Sequence, residues 1–159
     1  VEARSEGLGK GSEFSLRIPR LLGKVVQPAP TKPTTEQGGT RRVMVVDDNE
    51  DAALSMSMIL KKRGHVIAVA HDGEMAVAKG AEFKPEIVIM DIGMPKMNGY
   101  EACAAMRKTD WGQRCMIVAL SGWGQEEDRQ KSKEAGFDRH VVKPIDRATL
   151  EWIVTQEKE

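Results

Sequence analysis

The sequence has few aromatic residues, two cysteines and no long apolar run. Apolar residues make up 40% of the 159 residues but aromatics only 4%, so a core must consist of aliphatic side chains and the nine methionines. Because no apolar run approaches the ~20 residues that span a bilayer, and no signal peptide is recognisable, we expect no membrane contact by this chain. Neither Cys103 nor Cys115 has metal-ligand spacing, and we expect both to be reduced core thiols of a cytoplasmic protein.

An excess of either charge is also absent. The 24 Lys and Arg residues balance the 24 Asp and Glu residues. A balanced charge argues against a partner attracted by bulk electrostatics, so we expect no nucleic-acid binding. The sequence does not begin with Met, and we expect it to belong to a longer protein whose membrane anchor, if it has one, lies outside this sequence.

The composition changes near residue 40. Residues 20–40 contain Pro28, Pro30 and Pro33 and then a pair of glycines, which predicts a linker. Before it, the stretch SEFSLRIP (12–19) alternates apolar and polar residues, as a strand with one apolar face does. A single strand is not stable alone. We therefore expect residues 1–19 to have no sheet to join and to be disordered.

From Arg42 onward, short apolar runs alternate five times with segments of helical periodicity. Most of the runs are apolar almost throughout, as strands covered on both faces are. This pattern predicts an α/β fold with a doubly wound, five-stranded parallel sheet of order 2-1-3-4-5, the flavodoxin-like arrangement. The predicted strands are 43–46, 65–70, 86–91, 115–120 and 139–143, and the predicted helices are 50–63, 72–83, 99–109, 125–136 and 146–158.

Polar side chains lie at the ends of four of these strands. In open α/β sheets, binding and active sites form at the carboxyl ends of the strands. A lone Asp at a strand end is usually a cap or turn residue. That explanation does not account for the whole set, which contains three neighbouring carboxylates that repel one another unless a hard cation such as Mg²⁺ neutralises them. The set fits a metal-assisted phosphoryl group that arrives at Asp91, with Asp91 as the nucleophile. The residues at these strand ends are Asp47, Asp48, Asp91, Ser121 and Lys143.

These segments resemble the receiver domain of two-component response regulators. The stretch VMVVDDNE resembles the acidic first turn of that family, MDIGMPKMNGYE its phosphoacceptor loop, ALSG its hydroxyl turn and VVKPI its Lys-Pro turn. The spacings between these motifs agree as well. The resemblance assigns residues 41–159 to a receiver domain.

The resemblance implies a role for each acidic position. Asp91 would be the phosphoacceptor. Asp48 and Asp91 would bind Mg²⁺ directly, the backbone carbonyl of Gly93 would complete the protein ligands, and Asp47 would act through a bound water.

The resemblance also implies that Lys143 contacts the phosphoryl oxygens, that Ser121 hydrogen-bonds the attached group and that the Lys143–Pro144 peptide is cis. The sequence departs from the family in two ways. His140 stands where the family usually has Tyr or Phe, and both a switch role and a plain strand-edge role remain open for it. Gly93 and Trp123 stand where many relatives carry polar residues, and we expect Trp123 to slow hydrolysis of the phosphoryl group.

The stretch SEGLGKGSEFSLRIP (5–19) resembles the end of a histidine-kinase ATP-binding domain. A phosphate-binding P-loop is excluded, because that motif would need Gly in place of Arg4 and Ser or Thr in place of Gly11. The resemblance implies that residues 1–19 are a remnant of a kinase domain, and that the parent is a hybrid sensor kinase with a C-terminal receiver.

Three functions remain open on the sequence alone. The first is a phosphoryl-accepting switch that takes its group from a phosphohistidine donor and changes the surface around the fourth and fifth strands and the helix between them. Such a domain catalyses its own phosphotransfer and dephosphorylation. The second is a degenerate receiver that only binds proteins, although none of its key residues is missing. The third is a phosphatase with an aspartyl nucleophile, which is disfavoured because Gly93 stands where the D-x-D motif needs its second Asp.

Overall fold

The computed structural model divides the chain into two units, Val1–Glu36 and Gln37–Glu159. In the first unit, strand β1 (Glu2–Arg4) pairs antiparallel with strand β2 (Glu13–Ser15). The expectation that the strand within 12–19 has no partner is therefore wrong, because β1 is too short for its alternation to be recognisable in the sequence. The predicted linker lies outside the described residues except for its last two. The structure describes residues 2–4, 7, 11, 13–15, 39–122 and 126–158.

The described part of the second unit contains a parallel sheet of five strands in the order β4-β3-β5-β6-β7. Counted along this unit, the order is 2-1-3-4-5, which confirms the predicted topology. The strands are β3 (Arg42–Val46), β4 (Val66–Ala70), β5 (Ile87–Asp91), β6 (Met116–Ser121) and β7 (Arg139–Val142). The helices are α1 (Glu50–Lys62), α2 (Gly73–Phe83), α3 (Gly99–Arg107), α4 (Asp110–Arg114), α5 (Glu126–Ala135) and α6 (Arg147–Thr155).

Helices cover both faces of the sheet, which explains why most of the strands are apolar along almost their whole length. Val43 and Val45 point into the layer that contains α1 and α6, whereas Met44 and Val46 point into the layer that contains α2 and α3. All four side chains are fully buried. Burial of a side chain of this size contributes roughly 1.5–3 kcal/mol, so the strands hold the carboxyl edge of the sheet rigidly.

Both cysteines lie in the layer formed by α2 and α3, as expected for core thiols. Burial raises the pKa of Cys103 and of Cys115 to about 12. Both residues are free cysteines. A thiol with such a pKa is protonated at neutral pH, so these cysteines act as packing residues.

The predicted helix 99–109 corresponds to α3, which ends at Arg107, and the short helix α4 that follows it was not predicted. Thr109 begins α4 by accepting a hydrogen bond from the Gly112 backbone N–H at its side chain. Gly112 lies so close to the Met106 carbonyl oxygen that a Cβ atom would clash with it. The glycine therefore lets α4 fold back against the end of α3, a contact that helical periodicity does not reveal.

Caps fix most of the other boundaries near the site. Asp72 caps α2 by accepting a hydrogen bond from the Met75 backbone N–H at 2.7 Å. Asn98 and Glu101 form a capping box at the start of α3. Gly64, with φ +90°, follows the end of α1, where the sequence predicted a stop. Among the described residues, no helix combines the length and the apolar character needed to cross a membrane.

Candidate functional site

Three carboxylates meet at the carboxyl edge of the sheet. Asp91 is the last residue of β5, and Asp47 and Asp48 follow β3 directly. One carboxylate oxygen of each lies within 4.8 Å of the others. Asp47 and Asp91 are only 1% and 8% exposed, whereas Asp48 is exposed. Two buried carboxylates this close repel each other, so the site requires positive charge.

Lys143 supplies that charge within the chain. Its Nζ lies 2.9 Å from Asp47 Oδ2 and 2.9 Å from Asp91 Oδ2. Burial alone would lower the pKa of Lys143, but the hydrogen bonds and negative charges of Asp91 and Asp47 outweigh it and raise the pKa above its usual value. The ammonium group is therefore charged at neutral pH and bridges the two acids.

The backbone around Lys143 fixes its place. Its N–H donates to the Ser121 carbonyl oxygen at 2.7 Å, which ties the end of β7 to the end of β6. The Lys143–Pro144 peptide bond is cis, in agreement with the expectation from the resemblance.

The loop after β5 holds the Asp91 carboxylate from the other side. The Gly93 backbone N–H donates to Asp91 Oδ1 at 3.2 Å. Gly99, at the start of α3, donates to the Ile92 carbonyl at 3.0 Å and packs so closely that a Cβ there would lie 2.5 Å from the Asp91 carbonyl oxygen. Further along the loop, Lys96 pairs with Asp72 at 3.1 Å. The carboxylate thus stands on a strand and a loop that are both anchored.

Ser121 and His140 lie next to each other, and a third residue joins them. Ser121 Oγ is 2.7 Å from His140 Nε2, and His140 Nδ1 is 2.8 Å from Ser132 Oγ. Ser132 is not among the site residues that the sequence predicts. The sequence does contain a signal for it, because Ser132 is a small hydroxyl residue, three positions before Ala135, in a helix that is otherwise strongly charged. Trp123 lies outside the described residues, and its effect on hydrolysis stays a prediction.

An open cleft of about 320 Å³ reaches the Asp91 carboxylate, Ser121 and Lys143, with Tyr100 and Asp128 on its wall. A larger groove of about 780 Å³ lies among segments at the amino edge of the sheet, where it contains none of the predicted site residues. Charged side chains of both signs line that groove. Among the described residues, the predicted site residues Asp91, Ser121 and Lys143 come together at the smaller cleft and not at the larger groove.

The donor set suits a hard divalent cation. Three carboxylates contribute oxygen ligands, and Mg²⁺ binds through carboxylate, carbonyl and water oxygens. Because Asp48 is exposed, the cluster opens to water, which Mg²⁺ usually keeps in its coordination shell. Asp47, Asp48 and Asp91 could therefore hold such an ion.

The chain belongs to the response regulator receiver domain family, whose family model matches residues 43–155. It is thus a receiver domain of two-component signalling. The chemotaxis protein CheY4 of Vibrio cholerae is similar in structure, with a TM-score of 0.71, 28% identity, and coverage of 74% of this chain and 98% of CheY4.

Two further solved structures carry information about ligands and partners of their own proteins. The receiver domain of the sensor histidine kinase PA1611 from Pseudomonas aeruginosa PAO1 is 26% identical, with a TM-score of 0.68 over 74% of this chain and 96% of that one, and has magnesium in its active-site cleft. A co-crystal structure from Saccharomyces cerevisiae contains the histidine phosphotransfer protein Ypd1 and the receiver domain of Ssk1. It matches with 22% identity and a TM-score of 0.70, over 75% of this chain and 89% of that one, and at this identity it shows the fold alone.

One curated relative matches beyond the receiver domain. The autoinducer 2 sensor kinase/phosphatase LuxQ of Vibrio vulnificus is 34% identical over 148 residues, which cover 91% of this chain. The chain spans 17% of the length of LuxQ. The similarity therefore extends into the segment before the receiver domain.

Proposed function

We propose that Asp91 accepts a phosphoryl group from a phosphohistidine donor and that the attached group switches the surface around β6, β7 and α5. The observation that supports this most directly is the position of Lys143, whose ammonium bridges Asp47 and Asp91 beside an open cleft. A cation placed between a nucleophile and the solvent can neutralise the charge of an arriving phosphoryl group.

The transfer itself needs little from the protein beyond position and charge. An Asp91 carboxylate oxygen attacks the phosphorus, the bond between phosphorus and the donor imidazole nitrogen breaks, and the imidazole leaves with that electron pair. Lys143 then exchanges its contact with Asp91 for the phosphoryl oxygens. Ser121, at the same cleft, donates its hydroxyl proton to a phosphoryl oxygen.

Asp48, Asp91 and the Gly93 carbonyl would hold Mg²⁺, with Asp47 acting through water. The bound ion would neutralise the acidic cluster and the equatorial phosphoryl oxygens. The magnesium in the PA1611 receiver domain and the carboxylate cluster of this chain support this assignment.

For the donor, we propose a histidine phosphotransfer domain or the dimerisation domain of a kinase. Membership of the response regulator receiver domain family supports a donor of this kind. We further propose that the parent is a hybrid sensor kinase located in or facing the cytoplasm, and that residues 1–19 are the end of its ATP-binding domain. The LuxQ match over 91% of the chain supports the hybrid architecture, and two free buried cysteines suit a reducing compartment.

The test is phosphotransfer to the purified chain, with Mg²⁺, from a panel of phosphohistidine proteins and from phosphoramidate, followed by intact-mass measurement. We expect one added phosphoryl group, lost in Asp91→Asn and retained in Asp110→Asn, which changes an exposed Asp at the start of α4. Phosphoramidate tests acceptance at Asp91 without the docking of a protein donor.

Two other results of this test would indicate the two alternative functions, a protein-binding module and a phosphatase. A chain that takes up no phosphoryl group from any donor, while Mg²⁺ with beryllofluoride leaves its amide signals unchanged, would be a protein-binding module only. Multiple turnover of a phosphomonoester would instead indicate a phosphatase.

A further inference from the structure

A chain of hydrogen bonds leads from the phosphoryl-binding hydroxyl into helix α5. Ser121 Oγ lies 2.7 Å from His140 Nε2, His140 Nδ1 lies 2.8 Å from Ser132 Oγ, and Ser132 Oγ donates to the Asp128 carbonyl oxygen at 2.8 Å. Ser132 is 2% exposed and Ser121 is 7% exposed. Both serine residues are therefore largely buried, although Ser121 lines the open cleft.

The hydrogen bond from Ser132 to the Asp128 carbonyl oxygen fixes the direction of the other two hydrogen bonds. Ser132 has one hydroxyl proton and donates it to the helix carbonyl, so its oxygen can only accept from His140. His140 Nδ1 must therefore carry a proton. In the neutral imidazole Nε2 is then the acceptor, and the Ser121 hydroxyl donates to it.

From this direction of the hydrogen bonds, we infer that Ser132 and His140 are positioning residues. They hold the Ser121 hydroxyl proton away from the phosphoryl site, and they couple the release of that proton to a shift of α5. The inference rests on the proposed function at Asp91. The single Ser121 proton cannot be given to His140 and to a phosphoryl oxygen at the same time. Phosphorylation therefore breaks the Ser121–His140 bond, while the bond from the imidazole to Ser132 of α5 is kept.

The composition of α5 makes it responsive to that change. Its sequence, EEDRQKSKEA, contains one apolar residue, Ala135, so little hydrophobic burial fixes the helix on the sheet. Among the described residues of α5, Ser132 forms a buried hydrogen bond to His140 of β7, which restrains the helix on the sheet. A helix with weak apolar anchoring shifts readily when a buried hydrogen bond changes partner.

The register of the sheet supports the same coupling. His140 lies opposite Ala119 of β6, and Ser121 follows two positions later on the same face. Ala119, Phe137 and the α5 residue Ala135 pack in one layer of the core. The hydroxyl, the imidazole and α5 therefore share a face, so a change at Ser121 reaches α5 through direct contacts.

The experiment is nitrogen NMR of the His140 ring, which distinguishes the two neutral tautomers, in wild type and in Ser132→Ala. We expect the Nδ1–H tautomer in the wild type and loss of that preference in Ser132→Ala. The matched control is Ser57→Ala, since Ser57 is also 2% exposed on a helix but its hydroxyl has no hydrogen-bond partner. We expect this control to keep the wild-type tautomer.

A second arm measures coupling with Mg²⁺ and beryllofluoride, which mimics the phosphoryl group. We expect the amide signals of 128–135 to shift in the wild type and in Ser57→Ala, and this shift to be lost in Ser132→Ala while Asp91 still accepts a phosphoryl group from phosphoramidate. Retention of the α5 response in Ser132→Ala would overturn the coupling.

The wild type alone also tests the inference if Ser132→Ala does not fold. An Nε2–H tautomer of His140 in the wild type would overturn the order of the hydrogen bonds. Failure of the wild type to accept a phosphoryl group would overturn the proposed function and the coupling together. The tautomer would still show whether the hydrogen bonds run in the stated direction.

Discussion

At the residue scale, Gly99 determines how closely helix α3 approaches β5, the strand that ends in Asp91. A Cβ at this position would lie 2.5 Å from the Asp91 carbonyl oxygen and 2.7 Å from Ile92 Cα. Both neighbours are backbone atoms, which cannot rotate away as a side chain can. Any larger residue must therefore push the helix or the end of β5, and with it the carboxylate.

We predict that Gly99→Ala destabilises the fold by about 1–3 kcal/mol, the usual cost of overpacking, and slows phosphorylation of Asp91. Urea unfolding and phosphoramidate uptake measure the two effects. The control is Gly39→Ala, because a Cβ at Gly39 meets nothing within 4 Å. Equal free energies of unfolding of the two variants would contradict this prediction, because α3 could then move away from β5 without loss of stability.

At the scale of elements, Arg107 joins four segments at the end of α3. Its guanidinium donates to the carbonyl oxygens of Gly136 at 2.7 Å and Cys115 at 2.8 Å, and also to that of Gly112. It pairs with Asp138 at 2.5 Å, and the same carboxylate oxygen accepts from the Ile117 backbone at 2.7 Å. The fork geometry of the guanidinium allows one side chain to make all these bonds.

We predict that Arg107→Lys lowers the free energy of unfolding by roughly 2 kcal/mol, because an ammonium cannot satisfy all these acceptors and leaves some of them unpaired. The side chain is 19% exposed, so water compensates for only part of the loss. Urea unfolding measures the change. Arg129→Lys, on the exposed surface of α5, should leave stability unchanged. A similar loss in both variants would contradict a specific role of Arg107.

At the scale of the whole molecule, the proposed metal site at the acidic cluster would couple metal binding to stability. The folded chain brings three carboxylates within 4.8 Å, and unfolding disperses them. A cation that binds only the folded state stabilises it by mass action, by about 1.4 kcal/mol when its concentration is ten times the dissociation constant.

We predict that Mg²⁺ raises the thermal unfolding midpoint of the wild type and that EDTA reverses this rise. Asp48→Asn should remove most of the effect without harming the fold, since Asp48 is exposed. Asp110→Asn should keep it. A rise of the same size in Asp48→Asn would contradict the metal assignment, and differential scanning fluorimetry is sufficient to decide.

The agreement between sequence and structure differs from one element to the next for physical reasons. Asp47, Asp91, Ser121 and Lys143 could be placed together because parallel strands end at one edge of a sheet, so local periodicity is enough to locate them. The break between α3 and α4 could not, because it depends on the contact of Gly112 with Met106. The pairing of β1 with β2 was also missed, since a three-residue strand has no detectable period.

Sequence alone determined the doubly wound sheet, its strand order and the set of groups at its carboxyl edge, because hydrophobic period and strand ends are local properties. Only the tertiary structure decided how those groups are held. It placed Lys143 between two buried acids, and it joined Ser121 to α5 through His140 and Ser132. These arrangements depend on distances between residues far apart in the chain, which are set by how the helices pack on the sheet.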